Sequence, residues 1–238
     1  GWQTIAPSAI AYGDALPKVP REMTIAEIHR VRDDFVSAAQ RALDAGFEWL
    51  ELHFAHGYLA QSFFSKHSNH RTDEYGGSLE NRSRFLVETL RAVRAVWPAH
   101  LPLTARFGVL EFDGHDEETL AESIELAKVF KAEGLDMLSV SIGFTIKETD
   151  IPWGVGFLSP ITKRVRDETG LATTSAWGFG TPEVAQAAVQ DEHLDIVMVG
   201  RSHLADPHWT YAAAKALGKD KPSWVLPAPY AHWLERYR

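Results

Sequence analysis

The chain reads as an α/β protein whose parallel sheet is covered by helices. Three observations carry that reading. Helical and strand patterns alternate along the chain, the helices tend to stop on a glycine just before an apolar strand, and the chemically distinctive residues stand just after the strands. Parallel α/β folds collect their chemistry at those strand ends. With 238 residues, 45% of them hydrophobic, the chain is long enough for one large domain with a real core. No linker, low-complexity stretch or short repeat marks a second domain, so 1–238 reads as one.

Thr24-Ile25-Ala26-Glu27 is a capping box, and apolar residues recur from Ile25 to Ala42 with helical period until Gly46 supplies a stop. Residues 47–54 (FEWLELHF) then predict a strand. The same grammar gives a helix from Ser78 to about Trp97 and a strand over 101–107. It gives a helix over 116–133 stopped at Gly134 before a strand over 136–141, and a helix over 160–169 stopped at Gly170 before a strand near 171–175. Thr181-Pro182-Glu183 opens a fifth helix, leading to a strand over 195–199 that runs into Gly200-Arg201. The first 46 residues supply one helix and an irregular lead-in.

Composition narrows the function. A net charge of −8 gives no general attraction to nucleic acid or anionic membrane. With no cysteine, disulfides, thiol nucleophiles, zinc–thiolate sites and iron–sulfur clusters are excluded. No apolar run approaches the ~20 residues of a membrane span. No charged-then-apolar leader is visible, so a cytoplasmic enzyme is expected. The chain opens at Gly1-Trp2 without an initiator methionine.

His53 and His56 lie three apart at a strand end, so one turn of chain can bring both imidazoles to one place. Three readings stand at this point. They can be metal ligands, which would want His, Asp or Glu from other strands; Glu51 alternates to the opposite face from its strand neighbours, and Arg106, Trp177 and Arg201 are poor ligands. They can be paired donors to a substrate oxygen that gains negative charge, with the Tyr58 phenol as a proton source. They can also be packed polar side chains near a loop.

Gly200-Arg201 after the last strand fits a phosphate-binding loop, with Gly178 as companion, or a plain turn with a surface charge. Arg106 ends an apolar strand, which calls for an ion pair or a cofactor contact. Trp177 stands on a strand-end loop. The tail over 224–238 (WVLPAPYAHWLERYR) is aromatic and proline-broken, so it is expected to dock on its own fold or on a partner subunit.

HFAHGYL at 53–59, with its continuation SKHSNHRTDEYGGSLENRSRF over 65–85, resembles the Old Yellow Enzyme family of flavin-dependent ene reductases, in particular its xenobiotic reductase branch. The family pattern N-x-R-x-D-x-Y-G-G-S-x-x-N-R is matched by Asn69, Arg71, Asp73, Tyr75, Gly76, Gly77, Ser78, Asn81 and Arg82. The resemblance continues through Arg106, Ser175-Ala176-Trp177-Gly178, Val199-Gly200-Arg201 and the tail. It implies a (β/α)8 TIM barrel, with about five of the eight β/α units in this chain, that holds FMN, takes electrons from NADPH and reduces activated alkenes or nitro compounds.

Carried over by position, the resemblance makes His53 and His56 the binders of the substrate oxygen and Tyr58 the proton donor. It places Arg106 at the pyrimidine edge of the flavin, Gly178, Gly200 and Arg201 at its phosphate, and Trp177 in the substrate pocket. Trp233 becomes a substrate contact delivered across a subunit boundary, which implies a homo-oligomer. The match covers the family's C-terminal two thirds; the first three barrel strands, with the flavin contacts they carry, are expected on a preceding segment. The alternatives are a catalytically incompetent barrel fragment that needs a separate N-terminal segment to complete it, and a metal-dependent barrel hydrolase.

Overall fold

A computed structural model describes residues 2–12, 16–147, 149–191 and 193–237. In chain order the elements are β1 (Ile5–Ala6), β2 (Arg21–Glu22), α1 (Ile25–Asp44), β3 (Leu50–Phe54), α2 (Leu59–Phe64), α3 (Leu79–Val96), β4 (Leu103–Gly108), α4 (Asp116–Ala132) and β5 (Met137–Ser141). They continue with α5 (Ser159–Thr169), β6 (Ala172–Ser175), α6 (Pro182–Gln190), β7 (Ile196–Val197), α7 (Arg201–Ala205), α8 (Trp209–Ala216), a 3-10 turn (Pro222–Val225) and α9 (Ala228–Leu234). The strands pair in parallel and alternate with helices, as the sequence predicts. Two compact units result: Gly1–Pro152 with Arg164–Thr173, and Trp153–Lys163 with Thr174–Arg238.

In the first unit β3, β4 and β5 lie side by side in that order. The capping box of α1 is formed: the Thr24 hydroxyl accepts from the Glu27 N–H and the Glu27 carboxylate accepts from the Thr24 N–H. Gly46, Gly134 and Gly170 all take positive φ, which is why each ends a helix where a bulkier residue would be strained. Leu52 and Phe54 of β3 turn inward onto a buried aromatic core with Phe63, Phe64, Phe85, Phe107 and Phe130. Phe63 stacks on Phe85 at 4.7 Å, and Phe107 meets Phe130 edge-on at 5.7 Å. Burying each such ring contributes roughly 1.5–3 kcal/mol.

The lead-in is less irregular than expected. β1 and β2 pair in parallel, Ile5 with Arg21 and Ala6 with Glu22, and the signature segment straps them down. The buried Arg71 guanidinium donates to Pro7 O (2.9 Å) and Met23 O (2.7 Å) and is paired with the Asp73 carboxylate.

In the second unit β6 and β7 pair through Thr174–Ile196 and Ser175–Val197. Phe179, Ala185, Ala188 and Leu194 form its small core, with Val197, Val199 and Trp209 against it. The predicted 195–199 strand keeps only Ile196–Val197 in pairing. Thr181 occupies the N-cap of α6 without a side-chain cap bond. Just before the aromatic tail, the Lys221 ammonium sits 4.0 Å above the Trp224 ring. No helix among the described residues is long and apolar enough to cross a membrane.

Candidate active site

Alternation along β3 sends Leu52 and Phe54 inward and puts Glu51 and His53 on the other face, where Thr104 and Arg106 of β4 lie opposite them in register. Past the strand the chain turns through His56 (φ 63°) and Gly57 (φ 66°). A left-handed histidine costs on the order of 1 kcal/mol, so its surroundings must hold it. They do. His56 N–H donates to Ile142 O at 3.3 Å, and Phe144 O lies where a Cβ on Gly57 would come within 2.3 Å. The turn sets the His53 and His56 rings 5.0 Å apart, places Tyr58 5.5 Å from His53, and joins His56 Nε2 to Ser141 Oγ at 2.8 Å.

Burial holds the His53 imidazole below its usual pKa, helped by the positive charge of Arg106. The same two causes, with His53 adding to them, pull His56 down to about 4. Both rings are therefore neutral near pH 7, each carrying one N–H. Arg106 is disfavoured as a cation by its own burial, which Glu51 partly offsets. Its Nε is buried and finds no hydrogen-bond partner among the described residues. An orphaned donor there fits an acceptor from a bound group. No cluster of three or more His, Asp or Glu among the described residues could hold a metal ion.

Two supports stand beside the predicted residues: Ser141, a strand-end residue whose partner the sequence does not reveal, and Glu111, which sequence reasoning missed. Ser141 closes β5 and partners His56. Glu111 lies buried behind the loop after β5, accepting from the Thr145 N–H and hydroxyl. The signal for Glu111 was available: an acid inside the apolar run Val109-Leu110-Glu111-Phe112, directly after a strand. Beside Tyr58 opens a cavity of about 720 Å³, walled largely by the lead-in between Thr4 and Pro20.

The second unit carries the other predicted residues. Trp177 (φ 82°) and Gly178 (φ 91°) form a left-handed pair after β6. Trp177 O accepts from Gly156 N–H at 2.9 Å, and its ring packs on Trp153 at 5.2 Å. A Cβ on Gly178 would lie 2.7 Å from Val155 Cα, so close backbone approach requires glycine there. Gly200 is the N-cap of α7 with open space around it, and Arg201 begins that helix with its side chain exposed. Trp233 on α9 is 73% exposed.

Residues 4–220 match the family described as NADH:flavin oxidoreductase / NADH oxidase. The chain belongs to this family. Among its curated members, an NADPH dehydrogenase of Bacillus velezensis is 40% identical over 92% of this chain and 63% of its own length. The NADPH dehydrogenase of Bacillus subtilis is 36% identical over 92% of this chain and 63% of its own. The chain thus spans a little under two thirds of these relatives. Among solved structures, morphinone reductase in complex with tetrahydroNAD matches with TM-score 0.73 and 30% identity over 92% of this chain and 61% of that one. The old yellow enzyme homologue from Zymomonas mobilis matches at 0.71 and 30%, over 87% and 59%.

Proposed function

We propose that the chain serves a flavin-dependent oxidoreductase that consumes NADPH and reduces activated C=C bonds, as in enones, or nitro groups. The observation that carries this reading is the neutral histidine pair beside Tyr58 and a cation with an unpaired donor. Metal-dependent hydrolysis finds no comparable support. FMN, when bound, would supply the hydride that NADPH has given it. Arg106 suits the pyrimidine edge of its ring, because the buried Nε needs an acceptor. For the second unit, the proposal is a phosphate grip by Gly178, Gly200 and Arg201 and a substrate wall at Trp177.

His53 and His56 act on the substrate oxygen. Reduction at the β-carbon builds negative charge on that oxygen, and two N–H donors placed for it stabilise the charge more than they stabilise the starting carbonyl. If Ser141 donates to His56 Nε2, the imidazole proton resides on Nδ1 and is free for the substrate. Tyr58 is 65% exposed, so its phenol can give a proton to the substrate and recover one from water. We further propose that the tail over 224–238, with Trp233 exposed on it, meets a second copy of the chain and contributes to the substrate pocket.

The test is substitution of the pair. His53→Ala and His56→Ala should each slow enone reduction by about 10²–10³-fold while FMN content stays at the wild-type level. Unchanged enone reduction in both variants would remove the proposed role.

A further inference from the structure

Against the loop after β5 lies a buried carboxylate that the proposed chemistry does not use. Glu111 is 3% exposed, and burial pushes its carboxyl upward. Thr145 occupies both of its oxygens, giving its backbone N–H to Oε2 at 3.0 Å and its hydroxyl to Oε1 at 2.6 Å. A Cβ on Gly143 would fall 2.0 Å from Oε1, so the carboxylate lies directly against the backbone of the loop after β5. Gly143 N–H in turn donates to Leu110 O at 2.8 Å.

That loop is what His56 rests on. Ser141 Oγ meets its ring nitrogen, Ile142 O accepts its N–H, and the Phe144 ring lies 5.7 Å from the imidazole. Phe144 O covers Gly57. Phe144 has a φ of 54°, a conformation that L side chains rarely adopt and that must be held from outside. The residue next to it is Thr145, the one that Glu111 grips.

We propose that Glu111 is a positioning residue for His56: by holding Thr145 it keeps Phe144 left-handed and fixes the loop that orients and shields the imidazole. The inference rests on the reading of His56 as a binder of the substrate oxygen, and its test is separable from that reading. The groups that face His56 with charge are His53 from β3 and Arg106 from β4. Glu111 acts through the loop instead: burial pushes its carboxyl upward, so it is neutral where His56 titrates, and Glu111→Gln keeps that neutrality together with an acceptor and a donor for Thr145.

The experiment is an NMR titration of the His56 ring in the whole 238-residue chain, with thermal melting to establish folding. Wild type should titrate near 4, and Glu111→Gln should match it. Glu111→Ala removes both bonds, and Glu111→Asp is one methylene too short to keep both. In each the His56 midpoint should rise by about one unit or more, as water reaches the ring. A folded Glu111→Ala or Glu111→Asp chain that titrates as wild type overturns the proposal; should the alanine variant fail to fold, the aspartate variant decides. His56→Ala with unchanged enone reduction would instead overturn the role of His56 while leaving the grip on Thr145 intact.

Discussion

Gly57 is fixed by two independent constraints, a left-handed backbone and the carbonyl of Phe144 where a Cβ would go. Gly57→Ala should therefore lose at least about 2 kcal/mol of stability, read as a lower melting temperature. His56 gives a pH prediction. Burial and the charge of Arg106 pull it down to about 4 in the folded chain, below the ordinary imidazole value of about 6.5, so the unfolded chain takes up the proton first. The His56 contribution to stability should be constant above pH 6.5 and be lost as pH drops from 6.5 toward 4, and His56→Asn should make that part of the stability curve less steep. Tyr58→Phe should slow enone reduction by about 10²-fold or more with FMN content intact. His53 and Arg106 were legible as polar residues near the ends of apolar strands, and His56 and Tyr58 by their short spacing after His53. The partnership of Ser141 with His56 and the grip of Glu111 on Thr145 were not, since they depend on which loops the sheet brings side by side.

At the scale of elements, capping and glycine stops made α1, α3, α4 and α5 readable to within a residue or two, because those signals are local. Thr24→Ala should cost about 1 kcal/mol, because it removes the acceptor of the box. The short pieces were missed: α2 is six residues long and α7 is five, while β1 and β2 pair over only two residues each. Such elements exist through tertiary contacts, which periodicity does not register. The signature around Arg71 reads as a family mark in sequence but works as a clamp in the fold, joining the lead-in to the segment before α3. Arg71→Ala leaves the Pro7 and Met23 carbonyls without the guanidinium donor and Asp73 without its ion-pair partner, and should destabilise the chain by roughly 2 kcal/mol or more in a denaturant titration.

For the whole molecule, the alternation of strands and helices was evident from sequence, whereas the division into two compact units was not, since no composition shift or linker marks it. Trp233 belongs at this scale: if a second chain uses it, Trp233→Ala should change KM for an enone while leaving FMN content nearly intact. The function proposed for the molecule is flavin-mediated transfer of electrons from NADPH to an activated alkene. The most direct test is an anaerobic visible spectrum of the purified, FMN-loaded protein. Adding NADPH should bleach the flavin band and adding an enone should restore it. A flavin band that NADPH leaves untouched, or that an enone fails to restore, would contradict the account.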